Sequence, residues 1–491
     1  MGHIRSRGKN VNVRRLLRRF PCTSVSETAD ISFRTSSCPL PATATIRRST
    51  MPARTATTGP VRSTRATRTT RTTSTSIRAT STGTTTIGTT GNLSALSAPP
   101  QHLPLCYFFV LMHLTYQQLR SDLNQAYLDA RRHKRSRSYQ LRFESDLEHN
   151  LQQLCDELWR RTYHPRPSAC FIISDPKRRE VFAAEFRDRI VHHLYYNYVH
   201  QMLERTFIQD SYSCVPGRGT HYGIRRLEHH IRQESQNYSE PCYVLKMDIQ
   251  GYFMHIRREK LLEITLRQLH RMARHRISKY RSETWADRVD MDMVDYLTRQ
   301  IILLNPIEDC KMKGSSEDWA TLPHSKSLFY SPEGCGLPIG NLTSQLFSNV
   351  YMNELDQYMK RQLRCRHYGR YVDDFFVVSA DRDFLHRLIP QVRAFLLSEL
   401  GLTLHPGKLR IDSVRQGVEF LGAYLKPWRK LVSSTSLRRM RRKLSALLTP
   451  HSSSCAVPHL VSSLTSFWGI MIHYRSYYLR INFFSMALKS C

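Results

Sequence analysis

Two apolar, strand-forming segments of this chain carry aspartates where burial would ordinarily exclude them. The first, Tyr243–Ile249 (YVLKMDI), is mostly apolar up to Asp248. The second, Arg370–Val378 (RYVDDFFVV), holds Asp373 and Asp374 in its middle. Apolar residues on both sides of an acidic pair describe a β-hairpin with two carboxylates at its tip. Adjacent carboxylates repel, and they stay ionised together only when a cation neutralises them. An exposed Asp-Asp turn is the plain alternative for the pair alone. Asp248 narrows the choice, because an aspartate closing an apolar strand is poorly solvated unless it binds something. Three such carboxylates are the ligand set expected for two Mg²⁺ ions, with Mn²⁺ as a substitute, leaving positions free for phosphate oxygens. A pair of such ions suits in-line displacement at phosphorus.

Charge points the same way. The 491 residues include 73 Lys and Arg against 40 Asp and Glu, a net charge of +33. Such an excess favours a polyanionic partner, most commonly a phosphate backbone. It is unevenly spread. Residues 1–105 hold 16 Lys and Arg but only Glu27 and Asp30 as acids, in a Thr- and Ser-rich run without hydrophobic period. That composition cannot bury a core, so residues 1–111 are expected to be a disordered extension. Three readings stand for it: a nucleic-acid-binding tail, a transit peptide, or a stretch that is not translated, with the start at Met112.

The twelve cysteines form no C-x-x-C pair, which argues against a zinc ribbon or a zinc-dependent nuclease. Free thiols imply a reducing compartment. The longest apolar run, Pro104–Leu114, is too short to cross a bilayer, so no membrane is expected.

Leu147, Leu151, Leu154 and Leu158 repeat at helical spacing. Val418–Leu425 (VEFLGAYL) reads as a third strand, and Asn349–Gln362 and Asp383–Leu400 as helices. Ser436–Thr449 reads as an amphipathic helix. Its apolar stripe is Leu437, Met440, Leu444 and Leu447; Arg438, Arg439, Arg441, Arg442 and Lys443 form the basic face. Strands alternating with helices give an α+β fold with a sheet floor.

Asp248, followed by Phe253, and then Tyr371-Val372-Asp373-Asp374 resemble motifs A and C of reverse transcriptases. Between them Gly336–Gln345 (GLPIGNLTSQ) resembles motif B. Leu404–Lys408 (LHPGK) resembles motif D, and Phe420-Leu421-Gly422 resembles motif E, the primer grip. The order is preserved over residues 165–425. The resemblance implies a right-hand polymerase: fingers, a palm with an antiparallel sheet floor and helices, and a short helical thumb. Residues 112–242 would supply the N-terminal helices and fingers, 243–425 the palm with an insertion at about 257–333, and 426–491 the thumb.

It also implies roles. Asp248, Ile249, Asp373 and Asp374 would hold metal. Lys177 and Arg179, in FIISDPKRREVFAA, match the positions that meet the incoming triphosphate, where Arg grips phosphate bidentately and Lys as a point charge. Arg178 between them reads as a solvated turn residue. Arg187 and Arg189 match a basic pair that supports template or the fingers. Phe253 would be the steric gate against a 2′-hydroxyl, with Tyr252 as the core residue of the pair. Ile339, Gly340 and Gln345 would border the nucleotide. Lys408 would protonate the leaving pyrophosphate; a surface lysine after a Pro-Gly turn is the plain alternative.

Motif B narrows the family. Most reverse transcriptases resembling group II intron or retroviral enzymes read Q-G-x-x-x-S-P; this chain, which also resembles group II intron and retron-type enzymes, has Ile339 for Gln and Gln345 for Pro. That variant resembles the reverse transcriptases of diversity-generating retroelements. The resemblance implies copying of a template-repeat RNA into adenine-mutagenised cDNA. The partners would be template RNA, the RNA–DNA duplex, dNTPs and a small basic accessory protein, in the cytoplasm of a bacterium or encoded by a phage. A group II intron-like or phage-defence enzyme, and a non-catalytic RNA-binding protein on a polymerase fold, are the rival readings.

Overall fold

The computed structural model describes residues 115–132, 136–174, 177–280, 282–448 and 456–489. The expected extension, residues 1–111, and the apolar run Pro104–Leu114 lie outside them. Among the described residues no helix is long and apolar enough to cross a membrane.

The chain begins with helices α1 (Tyr116–Arg131), α2 (Ser138–Glu144) and α3 (Leu147–Trp159). The leucine repeat works as its spacing predicts: Leu151, Leu154 and Leu158 of α3 are buried against α1. Strands β1 (Ser168–Ile173) and β2 (Arg179–Ala183) then pair antiparallel. Helices α4 (Phe186–Glu204) and α5 (Thr220–Glu234) lead to β3 (Tyr243–Asp248), which is followed by the short α6 (Tyr252–His255). Helices α7 (Arg258–Ala273) and α8 (Met291–Leu303), strand β4 (Cys310–Met312) and the short α9 (Ser316–Ala320) fall within the expected insertion at about 257–333. Strand β4 returns to lie parallel to β1, so the insertion completes the first sheet.

Helix α10 (Leu342–Gln357) is buried on nearly every face and runs on into a π-turn at Tyr358–Gln362. It starts seven residues before the expected Asn349. Residues 342–348 (LTSQLFS) mix polar and apolar side chains, and Thr343 and Ser348 are hydrogen-bonded inside the fold. Thr343 Oγ1 lies 2.7 Å from His192 Nδ1, and Asn349 Nδ2 donates to the Ser213 carbonyl. Burial holds the His192 imidazole down at about 4, so it is neutral at physiological pH.

Strands β5 (Tyr368–Tyr371) and β6 (Asp374–Ser379) form the expected hairpin. Helix α11 (Arg382–Leu400) follows, nearly as read, and then β7 (Arg410–Ser413). The four strands make an antiparallel sheet in the order β5-β6-β3-β7. Side chains alternate across its faces. Leu245, Met247, Phe375 and Val377 enter the core beneath, with α4 and α10. Val244, Phe376 and Val378 enter a second core with α5 and the C-terminal helices. Both faces are covered, which is why β3 and β6 read as almost continuous apolar runs.

The expected strand Val418–Leu425 is instead a hairpin, β8 (Val418–Phe420) and β9 (Ala423–Lys426), extended by β10 (Arg429–Val432). Leu421 and Gly422 form its turn, at φ +49° and +81°. The sequence hid the turn because leucine rarely adopts a left-handed backbone. Helices α12 (Ser434–Leu447), α13 (Ala456–Met471) and α14 (Tyr477–Lys489) end the described chain. On α12, Met440 and Leu444 are buried, while the arginines of the basic face are exposed.

Candidate active site

The register of the central sheet brings the acids together: Asp248 at the end of β3 is paired with Asp374 at the start of β6. Asp373 occupies the turn between β5 and β6. Val372, beside it, adopts φ +58°, an uncommon backbone for a β-branched residue that costs on the order of 1–3 kcal/mol. The turn is held by Arg370, which is fully buried. Its guanidinium donates to the Val372 carbonyl (2.9 Å), to Asp356 through Nε and Nη2 (2.8 and 2.7 Å), and to Ser211 and Asn349. Sequence reading missed Arg370, since its partner Asp356 lies on α10.

The three carboxylates share a cavity of about 810 Å³. Lys177, Arg178 and Arg179 enter it from the β1–β2 turn. Arg178 is therefore no free turn residue, and its guanidinium also contacts the Thr321 hydroxyl. Ile339, Gly340 and Gln345 form another wall; Phe253 and Tyr252 both border the cavity, Tyr252 being the more buried, with its hydroxyl donating to the Ser348 carbonyl. Ile249 has a buried, apolar side chain, so only its carbonyl can face a cation. Lining residues that sequence reading did not single out include Cys214 before α5, and Ser325 and Lys326 after α9. No local pattern marks them, because distant pairings bring them here.

Arg187 and Arg189 do not reach this cavity. Arg187 is buried against Glu157 and Asp188 and lies over the Tyr163 ring; Arg189 binds the Ala184 carbonyl and the Tyr139 ring. Both support the fold of this region. Phe420, Leu421 and Gly422 also lie outside the cavity lining, with Phe420 buried edge-on against Phe376 at 5.1 Å.

Burial first, then repulsion from Asp248, raises the proton affinity of Asp373. Burial also dominates at Asp374; with repulsion from Asp248 and Asp373 it outweighs the Lys246 ammonium and pushes the carboxyl up to about 7. Asp248 is ion-paired to Lys408, whose Nζ lies 2.8 Å from Oδ1. Among the described residues no three His, Cys, Asp or Glu side chains are arranged to hold a metal as they stand. The donor set still suits a hard divalent cation. It consists of oxygen donors only, and the mutual repulsion that raises Asp373 and Asp374 is what a cation relieves.

Gly340 shows how closely this wall is fitted. Its φ is +130°, and a Cβ there would stand 2.6 Å from the Phe182 carbonyl oxygen and 2.9 Å from Val181. The Phe182 amide in turn donates to the Ile339 carbonyl at 2.8 Å. Gly340→Ala is expected to cost about 1–3 kcal/mol, read as a lower urea midpoint. An unchanged midpoint would mean that this loop does not dock on β2.

The reverse transcriptase (RNA-dependent DNA polymerase) family model matches residues 175–425, just over half of the chain. Protein YkfC of Escherichia coli (strain K12) is 25% identical over 306 residues, 55% of this chain and 70% of that one. Among solved structures, apo telomerase from Candida tropicalis truncated from its C-terminal domain matches with TM-score 0.38 and 12% identity over 54% of this chain. Telomerase from Candida albicans in complex with a TWJ fragment of telomeric RNA matches with TM-score 0.36 and 10% identity over 68% of this chain. The chain spans 55% and 61% of those two telomerase chains.

Proposed function

Because this chain belongs to the reverse transcriptase (RNA-dependent DNA polymerase) family, we propose that it extends a DNA primer on an RNA template from the cavity around Asp248, Asp373 and Asp374. The observation that carries the reading is the convergence, in one cavity, of three carboxylates, a Lys-Arg-Arg wall and motif B. In the right-hand polymerase fold, 112–242 serve as N-terminal helices and fingers, 243–425 as palm and 426–491 as thumb. The first sheet borrows β4 from the insertion at about 257–333, and the last sheet runs past residue 425.

The reaction is nucleotidyl transfer. The primer 3′-oxygen bonds to the α-phosphorus of a dNTP, the α–β phosphoanhydride bond breaks, pyrophosphate leaves, and the 3′-hydroxyl proton is released. Asp248, Asp373, Asp374 and the Ile249 carbonyl are the groups that would hold two Mg²⁺, or Mn²⁺ in their place. Those ions would supply Lewis-acid stabilisation of the attacking and leaving oxygens. Lys177 and Arg179 neutralise the triphosphate. Phe253 stands under the sugar as the gate, and Phe420, Leu421 and Gly422 hold the primer. Lys408, tethered beside Asp248, gives its proton to pyrophosphate. Lys408→Ala is expected to lower kcat by about 10²-fold with little change in KM. A change confined to KM would make Lys408 a phosphate contact only.

The retroelement reading is favoured by the two departures in motif B. Ile339 and Gln345 line the cavity where the nascent pair would sit, and discrimination there rests on about 1–3 kcal/mol. The role that follows is adenine-mutagenised copying of a template-repeat RNA, aided by a small basic accessory protein, in a bacterial cytoplasm or from a phage genome. Ile339→Gln with Gln345→Pro is expected to reduce errors opposite adenine about tenfold in sequenced cDNA. An unchanged error spectrum would favour a group II intron-like or phage-defence enzyme. Absence of extension by the wild-type chain, even with a candidate accessory protein, would favour a non-catalytic RNA-binding protein.

A further inference from the structure

A second cavity of about 280 Å³ adjoins the first. Cys214 and Gln345 line both, and the Cys214 thiol donates to Gln345 Oε1 at 3.3 Å. These two side chains are therefore the partition. Beyond it the wall is Tyr196, Val215, Pro216, Leu342 and Leu346, with Arg218 alongside. Arg218 Nη1 donates to the Ile208 and Ser211 carbonyls at 2.8 and 3.0 Å, which holds the guanidinium beside the cavity. The lining thus offers apolar and aromatic surface with one amide, one thiol and one guanidinium, and no carboxylate.

That chemistry suits a flat heterocycle, with apolar faces and hydrogen-bonding edges. The volume lies at the lower limit of small-ligand pockets, about 300–1,000 Å³, so it admits one ring system and not a nucleotide pair. Access from the active site passes the partition, so an occupant on that path is joined to whatever lies beside Gln345. The rim is also rigidly placed. Asn349 Nδ2 holds the Ser213 carbonyl at 2.7 Å, and Arg370, which fixes the Val372–Asp373 turn, reaches Ser211 Oγ at 3.2 Å. The Tyr196 ring is fixed by stacking on His200, with centroids 4.6 Å apart.

We propose that this cavity receives one unstacked nucleobase of the template strand, the first unpaired base ahead of the primer end. The proposal rests on the reverse transcriptase reading above. Gln345 then meets template on one side and nascent pair on the other, with Cys214 as its positioning residue.

The test uses the full chain and a primer on RNA templates carrying 2-aminopurine at the first, or the third, unpaired position. Binding without dNTP is followed by base fluorescence and by anisotropy of a primer dye. A several-fold rise confined to the first position is expected. It should be lost in Leu342→Trp and in Val215→Phe, which fill the cavity, while anisotropy still reports the complex. If wild type extends unmodified template yet gives no position-specific rise, the cavity proposal is overturned and the polymerase stands. A rise that persists in both filled variants overturns it too. Failure of wild type to extend any template removes the reading beneath it.

Discussion

Replacing Asp373 and Asp374 together with alanine should lower primer extension by more than about 10³-fold while leaving the fold at least as stable as before. The two effects share one cause. Oxygen donors gathered for a cation are repulsive without it, and burial adds to the cost of their charge. Asp374, raised to about 7, shows the sign. Between its ordinary range near 4 and about 7 the folded state binds more protons than the unfolded state, so metal-free stability falls as pH rises through that window and is level above it. Asp374→Asn removes the penalty. Urea unfolding in EDTA at pH 8 should show a gain of about 1–3 kcal/mol, discounted because the carboxylate lines an open cavity, and little gain near pH 4. A variant that is inactive and also less stable at pH 8 would show that these carboxylates serve the fold.

The second large effect lies behind the site. Arg370→Met should destabilise the protein by about 3–5 kcal/mol, because it leaves Asp356 charged in a fully buried position with no cation and only the Tyr368 hydroxyl as partner. Adding Asp356→Leu should restore much of that loss, since apolar replacement of both partners avoids the stranded charge. Activity should not return with stability, because the Val372 carbonyl loses its donor and the Asp373 turn its support. Recovery of both would reduce Arg370 to packing; recovery of neither would place its main contribution at Ser211 and Asn349, provided that Asp356→Leu alone, which strands the Tyr368 hydroxyl, is well tolerated.

How much of this was legible depended on the range of each interaction. The acid-bearing hairpin, the strand ending at Asp248 and the leucine repeat of α3 are local patterns, and the structure places them nearly as read. The start of α10 was missed because Thr343, a polar residue in its buried first turn, finds its partner in His192, far away in sequence. The turn at Leu421 was missed because its backbone defies the residue's preference. Arg370 looked like an ordinary strand cation, and nothing near it in sequence betrays full burial. Cys214, Ser325 and Lys326 reach the cavity only through tertiary folding. The basic residues between 177 and 189 divided by partner: those with nearby acids or aromatic rings, Arg187 and Arg189, became structural, while Lys177 and Arg179 were left to the cavity.

Strand β4 pairs in parallel with β1 in the register Ser168 to Cys310, so that sheet joins residues 142 positions apart. During synthesis β1 and β2 can form their hairpin early, but the outer edge of β1 stays open until Cys310 has emerged. At about 5–20 residues per second that interval is roughly 7–28 s. An unpaired edge is a template for pairing with another chain. The nascent protein therefore passes through a period in which its half-built first sheet must be shielded from other chains, and slower translation of residues 184–309 would lengthen that exposure.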